Sequence, residues 1–249
     1  MFGEPTRTQY DLTFSLLGIP VRVHPLFWLV ALLLGLGGGD PDPGQMLTWV
    51  GVVFISIIVH EMGHALLARS YGWQPWITLY GFGGLASYQP THYSSGKQIL
   101  IALAGPAAGF VLAAAVVAGL YASNRETWFL GWTIGQGLPI ANLRLAELVF
   151  FLLYVNIFWG LVNLMPLYPL DGGRVARELL VIASPRDGVR WSLMTGVATG
   201  ALLGSAALVY RRDFYLTFFF GYLAYLNYTA LRAYQSGPLG DWRPRRDRW

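Results

Sequence analysis

Not one cysteine occurs among the 249 residues, so disulfides and thiolate metal ligands are both excluded, and any metal must be held by His, Asp or Glu. Charge is nearly as scarce. Only 12% of the residues are charged while 55% are hydrophobic, and the mean hydropathy is +0.46. That composition excludes an ordinary water-facing globule and implies an integral membrane protein. The net charge of +4 does not argue for nucleic acid, because Arg243, Arg245, Arg246 and Arg248 cluster at the C-terminal end in the pattern of a membrane-flanking tail. The opening stretch MFGEPTRTQYDLTFSLLGIP lacks an apolar h-region and a small-residue cleavage site, so no signal peptide is expected. There is no internal repeat, no low-complexity tract and no sign of a separate soluble domain.

What is present is a series of long apolar runs. Six spans can be drawn: Pro25–Leu36, Leu47–Ala68, Ile99–Tyr121, Leu145–Met165, Leu193–Tyr210 and Phe214–Leu231. The first is short and reaches spanning length only by taking in Val21 to Val23 or the glycines that follow it. The second, at 1.5 Å per residue, is about 33 Å long and covers a hydrocarbon core of about 30 Å. The fold class expected is an all-α polytopic membrane protein of about six transmembrane helices, forming one domain over residues 1–249. With the N-terminus in the cytoplasm, 13 of the 17 Lys and Arg fall on the cytoplasmic side and 4 on the other. That bias places both termini in the cytoplasm and the chain in the cytoplasmic membrane.

Two connections differ from plain loops. YGWQPWITLYGFGGLASYQPTHY, Tyr71 to Tyr93, alternates aromatic and β-branched residues around Gly81, Gly83 and Gly84 and reads as a short β-hairpin with a glycine turn. It is either an interfacial aromatic belt or a re-entrant hairpin that offers a strand edge to an extended peptide. The segment from Asn124 to Asn142 is mixed in character and reads as a loop or interfacial helix.

The second span contains IIVHEMGHALL, Ile57 to Leu67. His60 and His64, four apart on a helix, project from one face about one turn apart and can share a zinc ion, with Glu61 beside them. HExxH is the zincin pattern, in which the glutamate polarises a water and shuttles its proton to the leaving amine. Buried polar residues can instead serve helix packing, but ionisable side chains in a span mark functional sites by default, since each one is costly there. A zinc site needs a third protein ligand. His24 and His92 read as structural or interfacial residues, and Glu147 opens the fourth span at the wrong depth. Asp171, in NLMPLYPLDGGRV, is better placed: it precedes Arg174 and Arg177 on an inward-running segment, as His60 and His64 precede Arg69. It also suits an ordinary N-cap in a Pro/Gly turn, with a helix starting at about Arg174.

HEMGH and NLMPLYPLDGG together resemble the HExxH and NxxPxxxLDG motifs of the site-2 protease family of intramembrane zinc metalloproteases. The resemblance runs from His60 to Gly173 and, through the six-helix layout, over most of the chain. It implies that His60, His64 and Asp171 hold zinc, that Glu61 is the catalytic base, and that Asn163 faces the reacting carbonyl and helps hold the oxyanion. The core that carries the chemistry would be residues 47–183. LAGPAAGFVL on the third span is similar to a family motif that often carries an asparagine where this chain has Gly109, although Gly105 and Gly109 keep a GxxxG face for helix packing. The expected substrate is a single-span membrane protein, unwound locally so that a carbonyl becomes available. Two other classes stand beside the protease: a non-catalytic binding protein on the same fold, which would be expected to lose a ligand or Glu61, and a metal transporter, which would repeat ligands along a path through the bilayer.

Overall fold

Apolar runs too long for a soluble core form the backbone of the architecture. The computed structural model describes residues 4–36, 42–81 and 83–236. Gly37 to Gly39 and the arginines at 243, 245, 246 and 248 lie outside them. The chain divides into two compact units, residues 1–89 with 104–160 and residues 90–103 with 161–249.

The first unit opens on strands β1 (Leu12–Leu16) and β2 (Ile19–Val23), followed by helix α1 (Pro25–Gly35) and helix α2 (Pro43–Ser70). The expectation that Val21 to Val23 lengthen the first span is corrected here. Val-Arg-Val alternates with period two, and Arg22 is tied to Asp11 at 3.1 Å and Glu4 at 3.4 Å. His24 Nδ1 then accepts from the Leu26 amide at 3.2 Å, capping α1 with Pro25 in its first turn. Asp42 caps α2 in the same way, accepting from the Gln45 amide at 2.9 Å, and Arg144 beside it holds its carboxyl below the usual carboxylate range.

Strands β3 (Pro75–Tyr80) and β4 (Gly83–Tyr88) form the expected hairpin, and β3 also pairs in parallel with β2, giving the order β1-β2-β3-β4. Val21, Val23, Ile77, Leu79 and Ala86 lie on one face of this sheet and bury against Ile57, Ile58, Met62 and Ala65 of α2. Phe27 and Trp28 pack ring to ring on Phe54, while a side chain at Gly35 would collide with Met46 and Trp49. Helix α1 therefore runs antiparallel along the N-terminal half of α2, and the sheet lies beside the C-terminal half.

Helix α3 (Ser95–Ala122) follows. The mixed segment after it is neither loop nor helix: β5 (Arg125–Phe129), β6 (Trp132–Gly135) and β7 (Leu138–Pro139) make a three-stranded sheet ordered β6-β5-β7. Helix α4 (Leu143–Tyr154) continues through a π-helical turn, Val155–Trp159, into a last α turn, Gly160–Asn163.

The second unit holds α5 (Asp171–Ala183), α6 (Gly188–Ala206, continued by a π-helical turn Ala207–Arg211) and α7 (Phe214–Ser236). Its apolar core is built on Val162, Leu167, Leu170 and Leu223. Gly200 of α6 lets α7 approach: a Cβ there would lie 2.9 Å from Ala224 Cβ.

Among the described residues, four helices are long and apolar enough to cross a membrane: Pro43–Ser70, Ser95–Ala122, Leu143–Asn163 and Gly188–Arg211. The expected count of six is therefore approximate. With 11 residues, α1 is about 16 Å long and too short to span alone. With 23 residues, α7 is long enough, but Tyr, Asn and Thr interrupt its apolar run.

Candidate metal centre

The i, i+4 spacing on α2 does what helix geometry requires. The ligand atoms of His60, Glu61 and His64 all lie within 4.8 Å of one another, and the two imidazole Nε2 atoms are 3.2 Å apart. All three side chains are buried, at 5%, 5% and 3% exposure. A second turn of the same helix packs tightly on α3, since a Cβ on Gly63 would stand 2.3 Å from the Ala104 carbonyl oxygen.

Two glycines from other elements make the space that the cluster occupies. A Cβ on Gly105 of α3 would lie 2.1 Å from His64 Nε2 and 2.8 Å from His60 Nε2. One on Gly84 of β4 would lie 2.4 Å from both Glu61 Cγ and Oε1. The sequence marks Gly105 only as a helix-packing residue and Gly84 only as part of a turn; neither sequence signal carries the neighbour that each one accommodates. Two imidazoles and a carboxylate, converging and backed by backbone instead of side chain, match the nitrogen and oxygen donor set that zinc takes in a cysteine-free protein.

One helical turn away from His60, the amide of Asn156 donates to Ser56 Oγ at 2.9 Å and to the Leu152 carbonyl at 2.8 Å. Its Oδ1 lies 3.4 Å from where a Cβ of Gly109 would stand. The polar group at this level comes from the π-helical turn of α4 and faces Gly109 of α3.

The second motif belongs to the second unit. Leu170, not Asp171, is the N-cap of α5, so the helix begins at Asp171 and not near Arg174, and Asp171 sits in the first turn with its side chain buried at 6% exposure. The glycines after it are needed for close approach: a Cβ on Gly172 would meet the Leu164 carbonyl oxygen at 2.1 Å, and one on Gly173 the Leu167 carbonyl carbon at 2.4 Å. Asn163, at the end of the fourth span, is also buried at 7%. Thus His60, Glu61 and His64 are brought together within the first unit, while Asn163 and Asp171 are buried residues of the second. The weaker candidates have other places: His24 caps α1, His92 is exposed in the linker before α3, and Glu147 pairs with Arg144 at 2.9 Å.

Two further polar features of the second unit are invisible to spacing. Tyr93 Oη donates to both carboxylate oxygens of Glu178, at 2.6 and 2.5 Å, and burial together with that carboxylate pushes the phenol up to about 12. Asn227 of α7, fully buried, donates to the Tyr168 carbonyl at 2.8 Å.

Comparison with known proteins gives a consistent picture. The family model described as peptidase family M50 matches residues 48–203. A putative zinc metalloprotease of Synechocystis sp. is 33% identical over 179 residues, which is 67% of this chain and 43% of that protein. Stage IV sporulation protein FB of Bacillus subtilis is 26% identical over 191 residues, 75% of this chain and 57% of that protein. The fold is similar to that of the site-2 protease from Methanocaldococcus jannaschii, with a TM-score of 0.57 at 20% identity, covering 90% of this chain and 96% of that one. The chain spans less than half the length of several of the curated relatives it matches.

Proposed function

We propose, because the chain belongs to peptidase family M50, that it is a zinc-dependent intramembrane endopeptidase acting on the transmembrane segment of a single-span membrane protein. The observation that carries this reading is the buried His60–Glu61–His64 group on a helix long and apolar enough to cross the bilayer. An ionisable cluster at that depth is too costly to keep for packing alone. His60, His64 and Asp171 are the residues that would hold zinc, within a catalytic core of residues 47–183. Zinc there supplies Lewis acidity.

The remaining steps belong to side chains of this protein. Glu61 takes a proton from the attacking water and delivers it to the leaving amine, which is general acid–base catalysis by one carboxylate. Asn163 donates to the oxygen on which negative charge develops, and that contribution counts only in the transition state. A helical substrate has its carbonyls already hydrogen-bonded and must be locally unwound. Strand β4 is suited to receive the unwound segment, being the terminal strand of its sheet, with Gly84 lying against Glu61. An extended segment added at this edge passes the base with its backbone paired. The orientation goes with the reading: both termini are cytoplasmic, in the cytoplasmic membrane.

Glu61→Gln tests the proposal. The amide keeps the shape and cannot take a proton, so purified variant in lipid nanodiscs should retain one zinc while cleavage of a panel of single-span substrates falls by about 10²–10⁴-fold. Cleavage at the wild-type rate would remove Glu61 as the base. A zinc-loaded wild type that cuts no substrate of the panel would favour a binding protein on the same fold.

A further inference from the structure

Asn227 is the least expected residue on α7. Its side chain is fully buried, and a leucine in its place would give an apolar helix contact. Its amide nitrogen lies 2.8 Å from the Tyr168 carbonyl and 2.8 Å from the Leu223 carbonyl one turn back on α7. Two carbonyl oxygens fix which end of the amide faces them, since the flipped rotamer would set oxygen against oxygen. The Oδ1 atom is then directed at Gly196 of α6, where it has no hydrogen-bond partner and where a Cβ would stand 2.2 Å away. Leaving a buried amide oxygen unpaired is unfavourable. The arrangement makes sense only if the donor end is worth having.

That donor reaches the turn before α5. Pro166 and Pro169 have no amide hydrogen, and the turn is closed internally by the Leu167 amide to the Met165 carbonyl at 2.7 Å and the Leu170 amide to the Leu167 carbonyl at 2.8 Å. The Tyr168 carbonyl takes its donor from Asn227. Movement at Tyr168 is passed on, because Gly173 is packed so closely that a Cβ there would be 2.5 Å from the Tyr168 nitrogen. Asp171 lies between these points as the first residue of α5.

We propose that Asn227 is a positioning residue for Asp171: through the Tyr168 carbonyl it holds the turn that presents the carboxylate, and so sets how firmly the metal is retained. The proposal rests on the reading of Asp171 as a metal ligand. It couples the last two helices to the ligand, with Gly196 as the space the amide requires.

The test uses full-length protein in nanodiscs loaded with zinc, and with cobalt(II) as a spectroscopic probe. Asn227→Leu keeps the γ-branched outline and removes the donor. It should fold and bind one metal at saturation, release zinc to a chelator about 10-fold faster or more, as loss of partners behind a ligand does, and show altered cobalt absorption bands. Gly196→Ala forces the amide off Tyr168 and should do the same. Gly196→Ala with Asn227→Ala refills the space without restoring the donor. If that pair has wild-type release and spectrum, Asn227 is a packing residue and the proposal fails, as it does if Asn227→Leu is unchanged. Asp171→Ala separates the two readings. An altered spectrum there with a normal one in Asn227→Leu overturns only the positioning role, whereas a normal spectrum in Asp171→Ala overturns the ligand assignment and the proposal with it.

Discussion

Glycine sets the space in which α2 can carry two imidazoles and a carboxylate, and the effect can be measured one atom at a time. Gly105→Ala would place a methyl 2.1 Å from His64 Nε2, a contact that neither α3 backbone nor the buried ring can absorb without moving. We expect zinc affinity, read by competition with a chelator, to fall by about 10–100-fold while the helical content is kept; affinity equal to wild type would show that α2 and α3 can part without disturbing the metal. The His60–Glu61–His64 cluster is legible in the sequence because it depends on local spacing, HEMGH fixing one helical face, whereas LDGG reads as a turn ahead of a helix and is instead the first turn of α5. What Gly84, Gly105 and Asn227 do is not legible there, since it is defined by a neighbour distant in the chain. The spacing of GPAAG is the same whether the glycine accommodates another helix or an imidazole.

Among the elements, strong periodic signals identify their structures and weak turn signals do not. The β3–β4 hairpin announces itself by alternation and by Gly83, whose φ of +114° few other residues adopt. The β1–β2 and β5–β6 hairpins turn instead on Leu17-Gly18 and Leu130-Gly131, all at positive φ, where the usual Asn-Gly or Asp-Gly would have marked a two-residue turn. Leucine in those positions disguises one hairpin as the start of a span and helps disguise the other as a loop. The linker between β4 and α3 has a measurable tether, Tyr93 to Glu178. Because the folded phenol is raised to about 12 from 10.0, its contribution is fully present below about pH 10 and is lost as pH rises through about 12. Tyr93 is 37% exposed, so the bond to a charged acceptor is discounted to roughly 1–2 kcal/mol. Tyr93→Phe should lower the unfolding midpoint at neutral pH and reduce the alkaline loss of stability between those values. An unchanged midpoint would show that Glu178 is held without it.

For the whole molecule the question is how the chain threads the bilayer when α1 is only 11 residues long. A helix of that length crosses about half of a hydrocarbon core of about 30 Å. Here α1 lines the N-terminal half of α2, and β2 leads into it from beside the other half, so strand and helix together run along the length of α2. With both termini inside, as proposed, β2 and α1 together would have to supply the first crossing that no single helix makes. The spans expected from the sequence, which do not include the 13-residue α5, would then alternate in direction, and the 13-to-4 division of basic residues argues for the proposed orientation with both termini inside. The absence of cysteine makes the arrangement testable with one introduced thiol at a time. Ser123, exposed just after α3, should react as Ser123→Cys with an impermeant reagent added to intact cells, and Ser236, exposed at the end of α7, should react as Ser236→Cys only after permeabilisation. The reverse pattern would invert the protein in the membrane. Labelling of both from outside would mean that α7, whose apolar run is broken by Tyr, Asn and Thr, does not cross, and that the chain passes the bilayer an odd number of times.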